Sequence, residues 1–238
     1  MSKKILITND DGIKSSGIIR LAKAAQKYGE VWVVAPESQR SAASHSITLH
    51  GVVDVYDAEF PVEGVHAYAI TGTPGDCVRL GVLNIMPEKP DVVLTGINFG
   101  YNAGSDVQYS ATVGAALEAL FQGIPAIAFS EGTNDGYIIT DLYLEKILDE
   151  VIDMRAGDNQ VINVNFPTCK PEEFKGVLYD RFVSKGCIFR DTYDASPLPD
   201  GGTRYEVHGH YNEDVEEGSD LRALYDNYIS IGVVNNLC

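Results

Sequence analysis

KKILITNDDGIKSSGIIRLAKAAQKYGEVWVVAP, residues 3–36, is the stretch that decides the fold. Residues 4–8 form a short apolar run of the kind found in a fully buried parallel strand. Ile18, Leu21, Ala22, Ala25 and Tyr28 then recur at helical spacing, and Gly29 offers a stop for that helix. Residues 31–35, VWVVA, make a second buried strand closed by Pro36. Strand, helix and strand within about 30 residues is a βαβ unit, which commits the two strands to a parallel sheet.

The same alternation continues outward. Residues 47–56 and 66–70 read as strands, and Thr73, Pro74 and Asp76 as the cap, first position and first turn of a helix. Residues 92–94 read as a strand, followed by the glycine-punctuated loop TGINFGYNAGSDVQYSAT. Val113, Ala116, Leu117 and Leu120 form the next helical face, with Gly123 beyond its end. Residues 126–129 and 161–166 are strands around a helix marked by Leu144, Ile147, Leu148 and Val151. Residues 1–166 are therefore expected to form the α/β core of a single domain, an open and mostly parallel sheet. Residues 167–238 break the alternation and read as an extension ending in a last strand near 228–231.

Composition narrows the function. The chain has 238 residues, is 45% hydrophobic and carries a net charge of −16. That charge argues against a nucleic-acid polymer or an anionic membrane as partner. It permits an anionic small molecule, because a bound cation inverts the local field. Cys77, Cys169, Cys187 and Cys238 are scattered without CxxC spacing and read as free thiols of a reducing compartment. With neither a signal-peptide pattern nor a membrane-length apolar run, the expected location is cytoplasmic.

Ligands of open α/β sheets bind beyond the carboxyl ends of the strands. Loops 9–16, 36–46 and 95–112 all follow strands, so topology sends them to one edge. They carry Asn9, Asp10, Asp11, Ser41, Ser44, His45, Asn98, Asn102, Asp106, Ser110 and Thr112. All but His45 offer hard oxygen, the preference of Mg²⁺ or Mn²⁺. Adjacent Asp10 and Asp11 repel each other unless a positive charge lies between them. The glycines Gly96, Gly100 and Gly104 recur every four residues, unlike GxGxxG or a Walker loop. A helix starting near Ser110–Thr112 turns its positive end, with two hydroxyls, toward the same place and makes a phosphate seat.

Four motifs, NDDG, APESQRSAASHSIT, TGTPGDCV and GINFGYNAGSDVQYSATVGAALE, stand in an order that resembles the SurE family of metal-dependent nucleoside monophosphate phosphatases. The likeness runs over residues 3–130 and continues weakly to SDLRALYDNYISI. It implies a Rossmann-like three-layer fold and one divalent ion, Mg²⁺ or Mn²⁺, held by Asp10, Asp11, Ser41 and Asn98. It also implies a catalytic role for Asp10, Asp11 and Asn98, and a substrate pocket of Asn9, Asn102, Ser110 and Thr112. Expected substrates are nucleoside 5′- and 3′-monophosphates, with short polyphosphate as a further candidate. The chain departs from the family at Ala42 and Ala111, where glycine is usual, and in its short ending SIGVVNNLC. Two rivals are a receiver-type Mg²⁺-binding phosphoacceptor and a non-catalytic nucleotide-binding module. The first is disfavoured because Gly96 stands where a receiver carries its phosphorylated aspartate.

Residues 170–225 hold Leu178, Tyr179, Phe182, Ile188, Phe189, Tyr193, Tyr205, Val207 and Tyr211. TRYEVHGHY alternates as a strand does. A projecting β-hairpin with that much aromatic surface is expected to be covered by a second subunit, giving a homodimer or homotetramer. The family likeness points the same way.

Overall fold

The structure, a computed structural model, describes residues 2–133 and 138–236. The chain runs β1 (Lys3–Thr8), α1 (Ser16–Ala25), β2 (Gly29–Pro36), β3 (Val55–Asp57), β4 (His66–Ile70), α2 (Pro74–Leu80), β5 (Val92–Phe99) and α3 (Ala111–Phe121). It continues through β6 (Ala126–Glu131), α4 (Ile138–Val151), β7 (Gln160–Phe166), β8 (Gly176–Arg181), β9 (Phe189–Pro197), β10 (Thr203–Tyr211), α5 (Asp220–Tyr225) and β11 (Tyr228–Asn235). One sheet has nine strands in the order β3-β4-β2-β1-β5-β6-β7-β11-β8, and β9 and β10 form a separate antiparallel pair.

Every pairing from β4 to β7 is parallel; β3 lies antiparallel to β4, and β11 antiparallel to β7. Alternation along the strands feeds two cores. Ile5, Ile7, Val31, Val33 and Leu94 pack with α1 and α4 through Ile18, Leu21, Ile147 and Leu148. Leu6, Trp32, Val34 and Val93 pack with α2 and α3 through Cys77, Val78, Val113 and Ala116. The result is the expected three-layer sheet. Its order reverses at β1, with β2 on one side and β5 on the other, which makes the ends of β1 and β5 the topological switch point where ligands of such sheets bind.

Five expectations change. Gly29 does not end α1, which closes at Ala25; it opens β2 instead. A Cβ at Gly29 would stand 1.9 Å from the Lys3 carbonyl oxygen, so close backbone approach explains this glycine. Residues 47–54 form no strand, and only Val55–Asp57 pair, at the sheet edge. Thr48 is drawn instead to α2, donating its N–H and hydroxyl to the Asp76 carboxylate at 2.9 and 2.7 Å. The β5 strand extends to Phe99, taking Asn98 into the strand. Finally, Leu178 and Tyr179 do not belong to a separate extension: β8 and β11 complete the main sheet. Only β9 and β10 leave it. The last strand is also longer than expected, reaching Asn235. Cys238 lies outside the described residues. Among the described residues no helix is long and apolar enough to cross a membrane.

Candidate metal and phosphate site

Asp10 and Asp11 leave the end of β1 at the point where the strand order reverses. Asp10 is buried, and the Thr112 hydroxyl, from the first turn of α3, donates to its Oδ1. Burial pushes the Asp10 carboxyl up to about 6; the Thr112 bond opposes that push and the neighbouring Asp11 charge adds to it. Asp11 is half-buried and also raised, by burial, although the Phe99 amide and the Gln39 side chain lower it. Phe99 donates its N–H to Asp11 Oδ2 at 3.0 Å, which places the end of β5 against the acidic pair.

Ser41 arrives from the loop after β2. Gln39 Nε2 reaches both Asp11 Oδ1 (3.4 Å) and Ser41 Oγ (2.9 Å), joining this loop to the acidic pair. Arg40 donates its backbone N–H to the Asp10 carbonyl at 2.7 Å. The Asn98 side-chain N–H is spent on the Gly100 carbonyl at 2.8 Å, leaving its amide oxygen as the donor atom for a ligand. Asn9 locks the turn below, giving its amide N–H groups to Gly12 O and Ser15 Oγ, while its own Oδ1 is buried without a partner.

This set suits a hard cation. Among the described residues no ion pair involves either Asp10 or Asp11. Nor is there among them a group of three or more His, Cys, Asp or Glu side chains that could hold a metal ion. Two carboxylates assisted by neutral oxygens match the way Mg²⁺ is held, with some of its waters retained.

Ser110 caps α3, its Oγ accepting from Val113 N at 3.0 Å, so the start of that helix lies beside Asp10 through Thr112. Other candidates are spent on scaffolding. Asn102 is buried, donates its side-chain N–H to Ser130 Oγ at 2.8 Å, and accepts at its carbonyl from the Asn163 and Asn165 amides. His45 Nε2 pairs with Glu118 Oε2 at 2.9 Å. Burial pushes the Glu118 carboxyl up, but bonds from His45 and Gln122 and the charge of Arg79 outweigh it and hold it below the ordinary range. Ser44 Oγ donates to the Gln108 carbonyl, and Asp106 accepts from Ile188 N. Gln39, Ser130, Asn163 and Asn165 escape the sequence reading. The two asparagines do leave a trace there: VINVNF places polar amides at alternate positions of an otherwise apolar strand.

The family model described as Survival protein SurE matches residues 5–186. A protein of Thermoanaerobacter sp. (strain X514) named 5′-nucleotidase SurE is 39% identical over 232 residues, 96% of this chain and 90% of that one. The Clostridium botulinum (strain ATCC 19397 / Type A) protein of the same name is 36% identical over 231 residues, 95% of this chain and 90% of its own. The crystal structure of the SurE protein from Aquifex aeolicus superposes with a TM-score of 0.84 at 32% identity, covering 99% of this chain and 94% of that one. A receiver-type signalling fold is thereby set aside, and the chain belongs to the SurE family.

Proposed function

We propose that this chain is a divalent-metal-dependent phosphatase of nucleoside 5′-monophosphates, with 3′-monophosphates and short polyphosphate as further substrates. The observation that carries the proposal is the Thr112–Asp10 hydrogen bond, which sets a cation-type acidic pair beside the positive end of a helix. The activity named for the two relatives supports the nucleotidase class. Asp10, Asp11, Ser41 and Asn98 would hold the ion. When bound, it supplies neutralisation of phosphoryl charge and a more acidic water.

The protein's own part is positioning. Thr112 holds the Asp10 carboxylate in one orientation, and the Phe99 amide does the same for Asp11. Backbone N–H groups in the first turn of α3 would receive the phosphoryl oxygens. Asn9 fixes the acidic turn from beneath. Catalysis of this kind comes from alignment and charge neutralisation rather than covalent chemistry on the chain. The test is turnover of a panel of nucleoside 5′- and 3′-monophosphates and tripolyphosphate, before and after EDTA. We expect chelation to reduce turnover at least about 100-fold, with recovery on adding Mg²⁺ or Mn²⁺. Activity indifferent to EDTA overturns the proposal.

The partner we infer is a second copy of the chain, in a homodimer or homotetramer. Tyr193, Tyr205 and Val207 on the β9–β10 hairpin are 61%, 67% and 57% exposed, and all of β9 faces solvent in the single chain. Light scattering at micromolar protein and physiological salt should give a multiple of 25.9 kDa; a mass near 25.9 kDa overturns this. The free thiols of Cys77, Cys169 and Cys187 fit a reducing, cytoplasmic setting.

A further inference from the structure

We infer that Asp220 is a positioning residue for the phosphate seat: its buried carboxylate ties Gly104, and through it the loop that leads into α3, to the root of the hairpin. The inference rests on the function proposed above. Asp220 Oδ2 accepts from Gly104 N at 2.9 Å, while Oδ1 accepts from Ser184 N at 2.9 Å and Leu221 N at 2.7 Å. The residue is only 4% exposed, and no basic side chain pairs with it among the described residues.

A capping role for α5 does not account for this carboxylate. Ser219 already caps that helix, with its Oγ accepting from Arg222 N at 3.1 Å. Asp220 instead bonds two segments that are distant in sequence. The two are stitched together along their length: Ser105 donates to Gly186 O at 2.8 Å, and Ile188 donates to Asp106 Oδ2 at 3.0 Å. Gly104 adopts φ +58°, and a Cβ there would stand 2.3 Å from Gly186 O, so the turn is seated at backbone contact. Leu221 closes the junction in a small core with Ala103, Ile188 and Leu224.

On one side of Gly104, a 3₁₀ turn over Gly104–Gln108 leads directly to Ser110, the α3 cap, and to Thr112 on Asp10. On the other side, the 184–188 segment leads into β9, and Asn212, just past the end of β10, bonds back to Cys187 and Ile188. A shift of Gly104 therefore moves the start of α3 relative to the acidic pair. Misplacement by about 1 Å at a reacting centre costs about 100-fold in rate.

The test is Asp220→Asn, read by kcat and KM for a nucleoside 5′-monophosphate and by calorimetric binding of inorganic phosphate in Mg²⁺. The amide has one acceptor oxygen and turns an NH₂ group toward a backbone N–H. We expect kcat/KM to fall about 10–100-fold and phosphate to bind more weakly, well below the melting temperature. Ser219→Ala weakens the same helix without touching Gly104; it should lower stability and leave kcat and phosphate affinity within about twofold of wild type. Asp220→Asn that behaves like Ser219→Ala overturns the inference. If Asp220→Asn does not fold, Asp106→Ala loosens the same junction more gently; an unchanged kcat and phosphate affinity there overturns the inference, and a loss of both supports it. Wild-type protein inactive on every nucleotide overturns the functional proposal itself, whereas active wild type beside an unaffected Asp220→Asn overturns only the role of Asp220.

Discussion

Asp10→Asn should abolish hydrolysis and, in the absence of cation, melt at a higher temperature than wild type. The two effects have one origin. Asp10 is nearly inaccessible, has Asp11 beside it, and has no basic partner among the described residues. Burial lifts its carboxyl from 3.8 to about 6. That lift is a cost of about 3 kcal/mol to the cation-free fold once both folded and unfolded chains are ionised. The sign follows from which state ionises first. Below the unfolded value both states hold the proton and there is no penalty. Between 3.8 and about 6 the unfolded chain loses its proton first, so stability falls as pH rises; above that the penalty is complete. Asparagine keeps an oxygen for the Thr112 hydroxyl and removes the charge. In EDTA at pH 8 the variant should melt about 5–10 °C above wild type, with the gap closing near pH 4. Added Mg²⁺ or Mn²⁺ should raise the melting temperature of wild type but barely move the variant. Turnover should fall at least about 10³-fold, because a site with one charge fewer holds the ion poorly. Asp11→Asn and Asn98→Ala belong to the same series, and Ser41→Ala should be milder because a neutral hydroxyl adds less to the field. Wild-type turnover in Asp10→Asn under a metal titration removes Asp10 from the site.

Local chemistry made much of this architecture legible. The HAYAI strand, the Thr73 cap and the helical face of Val113, Ala116 and Leu120 follow from periodicity and capping within a few residues, and they stand where the sequence places them. Thr73 and Asp76 even complete a reciprocal capping box. The misreadings arise where distant groups decide. Residues 47–50 alternate like the start of a strand, yet Thr48 is captured by a carboxylate 28 residues away. In β8 the residues are half-buried or exposed, and its one apolar run, Val177–Tyr179, is too short to betray its place in the sheet. At the site, Asp10 and Asp11 can be recognised because they are adjacent and follow a buried strand. The engagement of Asn102 cannot be, since Ser130, Asn163 and Asn165 lie 28, 61 and 63 residues away. Gln39 between Asp11 and Ser41, and Asp220 beneath Gly104, are of the same kind: polar groups whose partners only the fold supplies.

Arg20→Ala should cost the fold several kcal/mol, about 3–5, and the loss should grow with pH. Arg20 stands on α1 and forks onto the Glu131 carboxylate at the end of β6, with Nη1 also donating to Asp141 Oδ1 at 2.9 Å. Glu131 is 3% exposed. Burial already holds its carboxyl above the ordinary value, with Arg20 the chief opposing influence. Without the guanidinium, the buried charge is left uncompensated, a loss of about 3–5 kcal/mol. Glu131 would then titrate still higher in the folded state than in the unfolded one. The extra penalty is absent below the unfolded value and develops as pH rises through the raised folded value. Thermal melts should therefore show a fall of about 10 °C at pH 8 and a smaller one at pH 5. Replacing both partners with apolar side chains, Arg20→Met with Glu131→Leu, should recover most of the loss, because no buried charge is left without its partner. The pair also matters to the site. Glu131 lies opposite Phe99 in the β5–β6 register, its carbonyl accepts from Gly100 N at 2.8 Å, and Phe99 N in turn holds Asp11. Activity of Arg20→Ala should thus match wild type well below its melting point and collapse earlier on heating. A melting temperature within about 2 °C of wild type at pH 8, or a loss that does not change with pH, would refute the assignment of the pair as a buried, charge-compensated brace.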